Sequence, residues 1–182
     1  MNPPKKASVI LAFLLVASCA ENLDFSQIED YLVQPVLTSS LTFFSVQPFH
    51  FFDTNGVQQN SRQDITEFDL FQDSTIVENV VKMVFNASFK NEFDRGAHIT
   101  IDLLNESNTI VYAFKPIFVE SKDLNPPAYE EEIVLASNPD IFTATKVRII
   151  ASLENTGTPM NPVDTSEFEF KSSVTLFLKV EL

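Results

Sequence analysis

One thiol, two imidazoles and 25 carboxylates make up most of the reactive side-chain chemistry in this 182-residue chain, and their spacing limits what they can do. The thiol, Cys19, has no second cysteine to pair with, so no disulfide forms within the chain and packing alone must supply stability. His50 and His98 are the whole imidazole supply. Zinc sites draw on three or four His or Cys ligands, so no metal site is expected. A Ser–His–Asp arrangement has no fixed chain order, so spacing does not exclude one. Neither Gly-x-Ser-x-Gly nor Ser-x-x-Lys occurs to support it, and no catalytic residue is assigned. Gly56, Gly96 and Gly157 are isolated, whereas phosphate-cradling loops need glycines close together; no nucleotide and no other cofactor is expected.

The carboxylates are too plentiful for pairs to mean much. Glu130-Glu131-Glu132 and Glu167/Glu169 are the densest groups. Glu130 and Glu132 share one strand face, as do Glu167 and Glu169, and could hold Ca²⁺ with oxygens from elsewhere. Asp53 and Asn55 before Gly56 match only a fragment of a calcium loop, lacking its terminal Glu, and a tight turn with solvated acids is the preferred reading. A glycosidase would need two carboxylates across a cleft, commonly with aromatic platforms, and the chain has no Trp. The suggestive remainder is aromatic: Phe43, Phe44, Phe49, Phe51 and Phe52 crowd one early stretch. Strict alternation would bury at most half of them. They either cap one end of the core or leave Phe49, Phe51 and Phe52 as a patch for a partner.

The first eighteen residues place Cys19 in a specific context. Lys5 and Lys6 give a positive start, and the apolar run Val9-Ile10-Leu11-Ala12-Phe13-Leu14-Leu15-Val16-Ala17 follows. Nine apolar residues are too few to span a bilayer, and the pattern is that of a secretory signal. Val16-Ala17-Ser18-Cys19 resembles the lipobox of bacterial lipoproteins. That resemblance implies that the Cys19 thiol is alkylated with diacylglycerol, that the signal is cut before it, and that the freed amine is acylated, for example with palmitate. A low-pKa, soft sulfur suits that role. One acyl chain binds a membrane only marginally, whereas two or three hold it durably.

Ala20 follows the cysteine where inner-membrane retention puts Asp, so the resemblance implies the outer membrane. Glu21, Asp24, Glu29 and Asp30 then form an acidic stretch. It resembles the surface-export tether of small Bacteroidota lipoproteins, and reads equally as a solvated spacer. Removing Lys5 and Lys6 leaves 10 basic against 25 acidic side chains, a balance of −15. Such a charge repels phosphate backbones and argues against nucleic acid.

Residues that could do chemistry must be positioned by strands, because the hydrophobic pattern after the acidic stretch has period two. Val81, Met83, Phe85, Ala87 and Phe89 face one way, and Lys82, Asn86, Ser88 and Lys90 the other. Ile99, Ile101 and Leu103 alternate with His98, Thr100 and Asp102. A turn at Asn105-Glu106-Ser107-Asn108 leads to Ile110, Tyr112 and Phe114. Val147, Ile149, Ala151 and Leu153 form another set, and weaker strands are expected over 35–46, 64–71 and 128–135. Phe168, Phe170, Val174, Leu176, Leu178, Val180 and Leu182 share one parity over about 50 Å of extended chain, so a bend or bulge is expected near Ser172-Ser173, where the chain passes between sheets.

Asp53-Thr54-Asn55-Gly56 and Asp94-Arg95-Gly96 read as hairpin turns, and Asn138-Pro139-Asp140-Ile141-Phe142 as one helical turn capped by Asn138. The sum is an all-β chain: an antiparallel β-sandwich, Ig-like or jelly-roll-like. An outer-membrane barrel shares the alternation but favours Trp and Tyr girdles, and this chain has no Trp and three Tyr. The expected division is a signal peptide at 1–18, an acidic tether at 19–32 and the sandwich at 33–182. The expected role is a lipid-anchored, non-catalytic protein of the cell envelope, on the outer membrane or cell surface, acting as a binding or accessory module with an envelope protein partner. The alternative is a structural or assembly component without a soluble ligand; a hydrolase comes last.

Overall fold

The structure, a computed structural model, describes residues 32–181. The expected signal peptide, its Val16-Ala17-Ser18 cleavage motif, the lipid-bearing Cys19 and the tether up to residue 31 lie outside the described residues. Eleven strands run in chain order: β1 (Leu32–Val33), β2 (Val36–Val46), β3 (Ser61–Glu67), β4 (Val80–Asn91), β5 (Ala97–Leu104), β6 (Ile110–Ala113), β7 (Ile117–Val119), β8 (Tyr129–Val134), β9 (Lys146–Leu153), β10 (Phe168–Leu178) and β11 (Val180–Glu181). One short helix, α1 (Ser74–Asn79), precedes β4, with Asp73 accepting a capping bond from the Thr75 amide.

The long strands form two antiparallel sheets, ordered β2-β10-β4-β8 and β3-β9-β5-β6, with β7 also paired to β5. Pro116 lies between β6 and β7; having no N–H to donate, it marks the break between two segments that share one edge of β5. Successive strands mostly alternate between the sheets, and that strand order makes the sandwich a jelly roll rather than an Ig domain. Among the described residues each of these sheets has two open edges, so the two do not close into a barrel. Among the described residues, no helix is long and apolar enough to cross a membrane.

Period-two burial explains why these segments are strands. β9 alternates half-buried and buried side chains throughout, with Val147, Ile149, Ala151 and Leu153 inward as expected. Met83, Phe85, Ala87 and Phe89 also point inward from β4. Val81 does not: it is exposed and Val80 takes the inward place, because the β4–β10 register slips between Phe177 and Leu178. Ile110 is exposed too, leaving Phe114 to pack on Phe85 with ring centroids 4.5 Å apart. Phe89, Phe93, Phe168 and Phe170 fill the middle in tilted contacts.

Several expected turns and bends have other forms. β10 stays in one sheet between β2 and β4, and ends at Leu178. The irregularity near Ser172-Ser173 is real but sits in its neighbour: Ser172 pairs with Thr42 and Ser173 with Ser40, so Leu41 of β2 is the extra residue. Asp94-Arg95-Gly96 joins strands of different sheets and is no hairpin. The Asn-Gly turn closes a minimal one, with a single bridge between Phe52 and Gln58 and Gly56 at φ +75. The expected strand over 64–71 begins earlier, at Ser61, and gives way to a 3-10 turn at Leu70–Gln72. Pro139–Thr143 is the helical turn foreseen, although Asn138 donates its amide to the Val134 carbonyl instead of capping it.

Candidate functional site

The two sides of the sandwich are closed differently, and the difference begins with side-chain parity. On one side lie β8 and β6. The inward-facing position between Glu130 and Glu132 is Glu131, which is buried. Tyr112 of β6 donates its hydroxyl to Glu131 at 2.6 Å, Tyr129 donates to the other carboxylate oxygen, and the Lys115 amide donates to that same oxygen at 3.1 Å. Burial pushes the Glu131 carboxyl up, but these three hydrogen bonds outweigh it and hold the group below the ordinary carboxylate range. Burial first, and the neighbouring carboxylate second, push both phenols above the ordinary tyrosine range. Both carboxylate oxygens are engaged, so Glu131 fastens the two sheets together.

The opposite side, between β2 and β3, stays open. β3 pairs with β9 so that Arg62, Asp64 and Thr66 lie opposite Ala151, Ile149 and Val147, on the parity that faces the other sheet. Polar side chains cannot fill an apolar gap, so the sheets part there. Across from them, Phe44 and Val46 of β2 lie opposite Phe170 and Phe168 and also face inward; Phe44 stacks on Phe170 at 5.1 Å. The result is a groove of about 530 Å³ with Phe44, Val46, Ile149 and Ala151 along it, Phe49–Phe52 at one end and Arg62–Asp64 along the lip. A second hollow of about 360 Å³ lies between Ser39–Leu41 and Glu67–Leu70, the same two segments further along. Together they mark an open seam down one side of the sandwich.

The three phenylalanines singled out in the sequence meet at this groove, but as unequal members. Phe51 is 0% exposed and packs edge-on against Phe93 at 6.1 Å, so it belongs to the core and not to an exposed patch. Phe52 is half-buried, and Phe49 is 49% exposed beside the His50 ring. Local hydrogen bonding fixes this arrangement. Pro48 starts a 3-10 turn, and the Gln47 amide donates to His50 Nδ1 at 2.9 Å. The Arg62 guanidinium donates to the Phe52 carbonyl at 2.9 Å, tying the turn to β3.

The other candidate groups are partnered elsewhere. His98 packs in a tilted contact on Phe118, ring centroids 4.6 Å apart, on the outer face of the second sheet. Glu132 pairs with Lys82 at 3.0 Å. Glu169 pairs with Lys90 and Lys171, while Glu167 accepts from Ser45 and Gln47, so neither acidic pair converges on a common point. Asp53 accepts from the Asn55 and Val57 amides, which is turn chemistry. Among the described residues, no group of three or more His, Cys, Asp or Glu side chains could hold a metal ion.

The sequence pattern did not reveal three buried charged groups. Asp102 takes two hydrogen bonds from Arg148, at 2.6 and 3.1 Å. Arg95, 2% exposed, pairs with Asp94. Glu131 sat within a run that looked uniformly solvated; its odd parity between two outward glutamates was the available signal.

No protein-family model matches the chain, and no curated protein matches it in sequence. Solved structures do align with it. A protein of Parabacteroides distasonis described as secreted is 15% identical, with a TM-score of 0.47 over 64% of this chain. The chain spans only 38% of that protein's length. The VP2 subviral particle of infectious bursal disease virus gives 14% identity and a TM-score of 0.39, over 79% of this chain and 32% of that one. The K3 cleaved adhesin domain of Lys-gingipain from Porphyromonas gingivalis gives 12% and 0.35, over 77% and 72%. The chain itself is therefore defined by its own architecture: a jelly-roll sandwich, fastened along one side and open along the other.

Proposed function

We propose that this chain is a lipid-anchored, non-catalytic binding module of the bacterial cell envelope, held at the outer membrane through Cys19 and engaging a protein partner through the groove between β2 and β3. The observation that carries the binding role is the groove itself. A sandwich that seals one side with a Tyr–Glu network leaves its other side open over aromatic side chains, where a partner can gain apolar burial that the fold forgoes. The lipobox-like Val16-Ala17-Ser18-Cys19 supports the anchor. A diacylglyceryl thioether supplies the membrane affinity, so the folded domain needs no apolar belt of its own.

Two measurements test this reading. Mass spectrometry of the purified protein should find the mature chain beginning at a lipid-modified Cys19, and Cys19→Ala should release the domain from the outer-membrane fraction. A photo-crosslinking side chain at position 49 should join a stoichiometric envelope protein on intact cells, and Phe52→Ser in the same protein should abolish that product while circular dichroism stays unchanged. An uncrosslinked, correctly anchored and folded protein would contradict the binding role.

A further inference from the structure

The groove has one flank prepared for a particular kind of occupant. Sheet edges expose unpaired N–H and C=O groups, and proteins blunt them with charge, proline, bulges or shortness. Three of the four edges here are blunted. β3 carries Arg62, Asp64 and Glu67; β8 carries Glu130, Glu131 and Glu132; β6 is four residues long and stops before Pro116. β2 is the exception. Its eleven residues, Val-Leu-Thr-Ser-Ser-Leu-Thr-Phe-Phe-Ser-Val, hold no charge and no proline, and only the bulge at Leu41 interrupts them. Among the described residues it pairs with β10 alone in its sheet.

This uncharged edge borders the groove. A strand added beside β2 would extend the first sheet over the gap above β3, and every second side chain would drop between the sheets onto Phe44, Val46 and Ile149. From Ser39 to Val46 the seam spans eight positions, about 26 Å at ~3.3 Å per residue. The facing lip selects by charge. Along the two hollows one cation, Arg62, stands against Asp64, Glu67, Asp69 and Asp73. The chain as a whole is acidic as well, at −13.

Resting on the binding reading above, we infer that the groove receives an extended peptide strand that pairs with the free edge of β2 and turns one face inward, setting apolar side chains on Phe44 and Val46 and a Lys or Arg of that same face against Asp64 and the acidic hollow beyond it. A second copy of this chain does not meet those terms. Its β2 offers no cation to the lip, and two chains of this charge repel each other.

The test uses the full chain in detergent and four synthetic octapeptides: one whose inward face carries two Val or Phe and two Lys with Thr at the alternate positions, the same peptide with Glu for Lys, and the Lys peptide N-methylated on alternate amides in each of the two possible registers. Titration by fluorescence anisotropy should show the Lys peptide binding at least tenfold tighter than the Glu peptide. N-methylation in one register should abolish binding, because it removes the donors that β2 must meet. Asp64→Lys with Glu67→Lys, both exposed edge residues, should cancel the preference for Lys. Ser39→Lys, which places a charge on the groove side of β2, should weaken the Lys peptide independently. Equal binding of both N-methylated forms, or of the Glu peptide, overturns the inference. So does sedimentation showing a dimer that Ser39→Lys dissociates. If no peptide binds while crosslinking through position 49 persists, strand addition is wrong and the binding-module reading stands.

Discussion

The Tyr112 hydroxyl and the Glu131 carboxylate meet across 2.6 Å and connect the edge strands of two different sheets. Glu131 also holds Tyr129 and the Lys115 amide. Removing the carboxylate leaves two half-buried phenols and the Lys115 amide without their acceptor, and a buried group left unpaired costs about 1–3 kcal/mol. Glu131→Leu should therefore destabilise the domain by roughly 3 kcal/mol in urea titrations. Glu131→Gln keeps one acceptor and should cost about half as much.

The same network predicts how stability varies with pH. Glu131 has a lowered folded pKa, so its contribution is full above the ordinary value of 4.5 and fades as pH falls through the folded value. Tyr112 and Tyr129 have raised folded values. Their contribution is full below the ordinary value of 10.0 and fades as pH rises beyond it. The urea midpoint should fall at both extremes. Glu131→Gln should flatten the acid limb, and Tyr112→Phe should reduce the alkaline one.

Phe49 and Phe51 should behave oppositely although they are two residues apart. Phe51→Ala empties a fully buried site against Phe93 and should cost about 3–5 kcal/mol. Phe49→Ala removes a half-exposed ring and should change stability by less than about 1 kcal/mol. Thermal melts of the two single variants check this. Any test of the groove must accordingly leave Phe51 intact.

Gly56 should resist replacement for reasons of backbone alone. Its φ is +75, and a Cβ there would meet nothing within 4 Å. Gly56→Ala should cost about 1 kcal/mol, and Gly56→Asn less, since Asn tolerates the left-handed region better. If the two variants melt alike, the turn has relaxed.

Much of this architecture was legible in the sequence because β9 and most of β4 are buried on one parity. β9 alternates without exception, and the inward residues of β4 and β5 were foreseen except where registers slip. β2 was harder to read, since the bulge at Leu41 reverses its parity: Leu37 and Ser39 lie opposite Leu176 and Val174, yet beyond the bulge Thr42, Phe44 and Val46 lie opposite Ser172, Phe170 and Phe168. The groove was only half visible. The Phe cluster announced it, but the matching fault, a β3 whose inward parity is Arg62, Asp64 and Thr66, emerges only once β3 is registered against β9. No local pattern separates Phe51 from Phe49 either, because a 3-10 turn and not a strand carries both.

The placement of β10 bears on how the polypeptide is made and moved. Its residues are translated long after those of β2 and β4, yet it supplies the backbone that both of them bond to. Until it arrives, β4 has only β8 to pair with and β2 has no strand to join, so the first sheet cannot be completed. Any apparatus that threads the nascent polypeptide in extended form would thus meet little finished tertiary structure to pull apart, and maturation would wait for the far side.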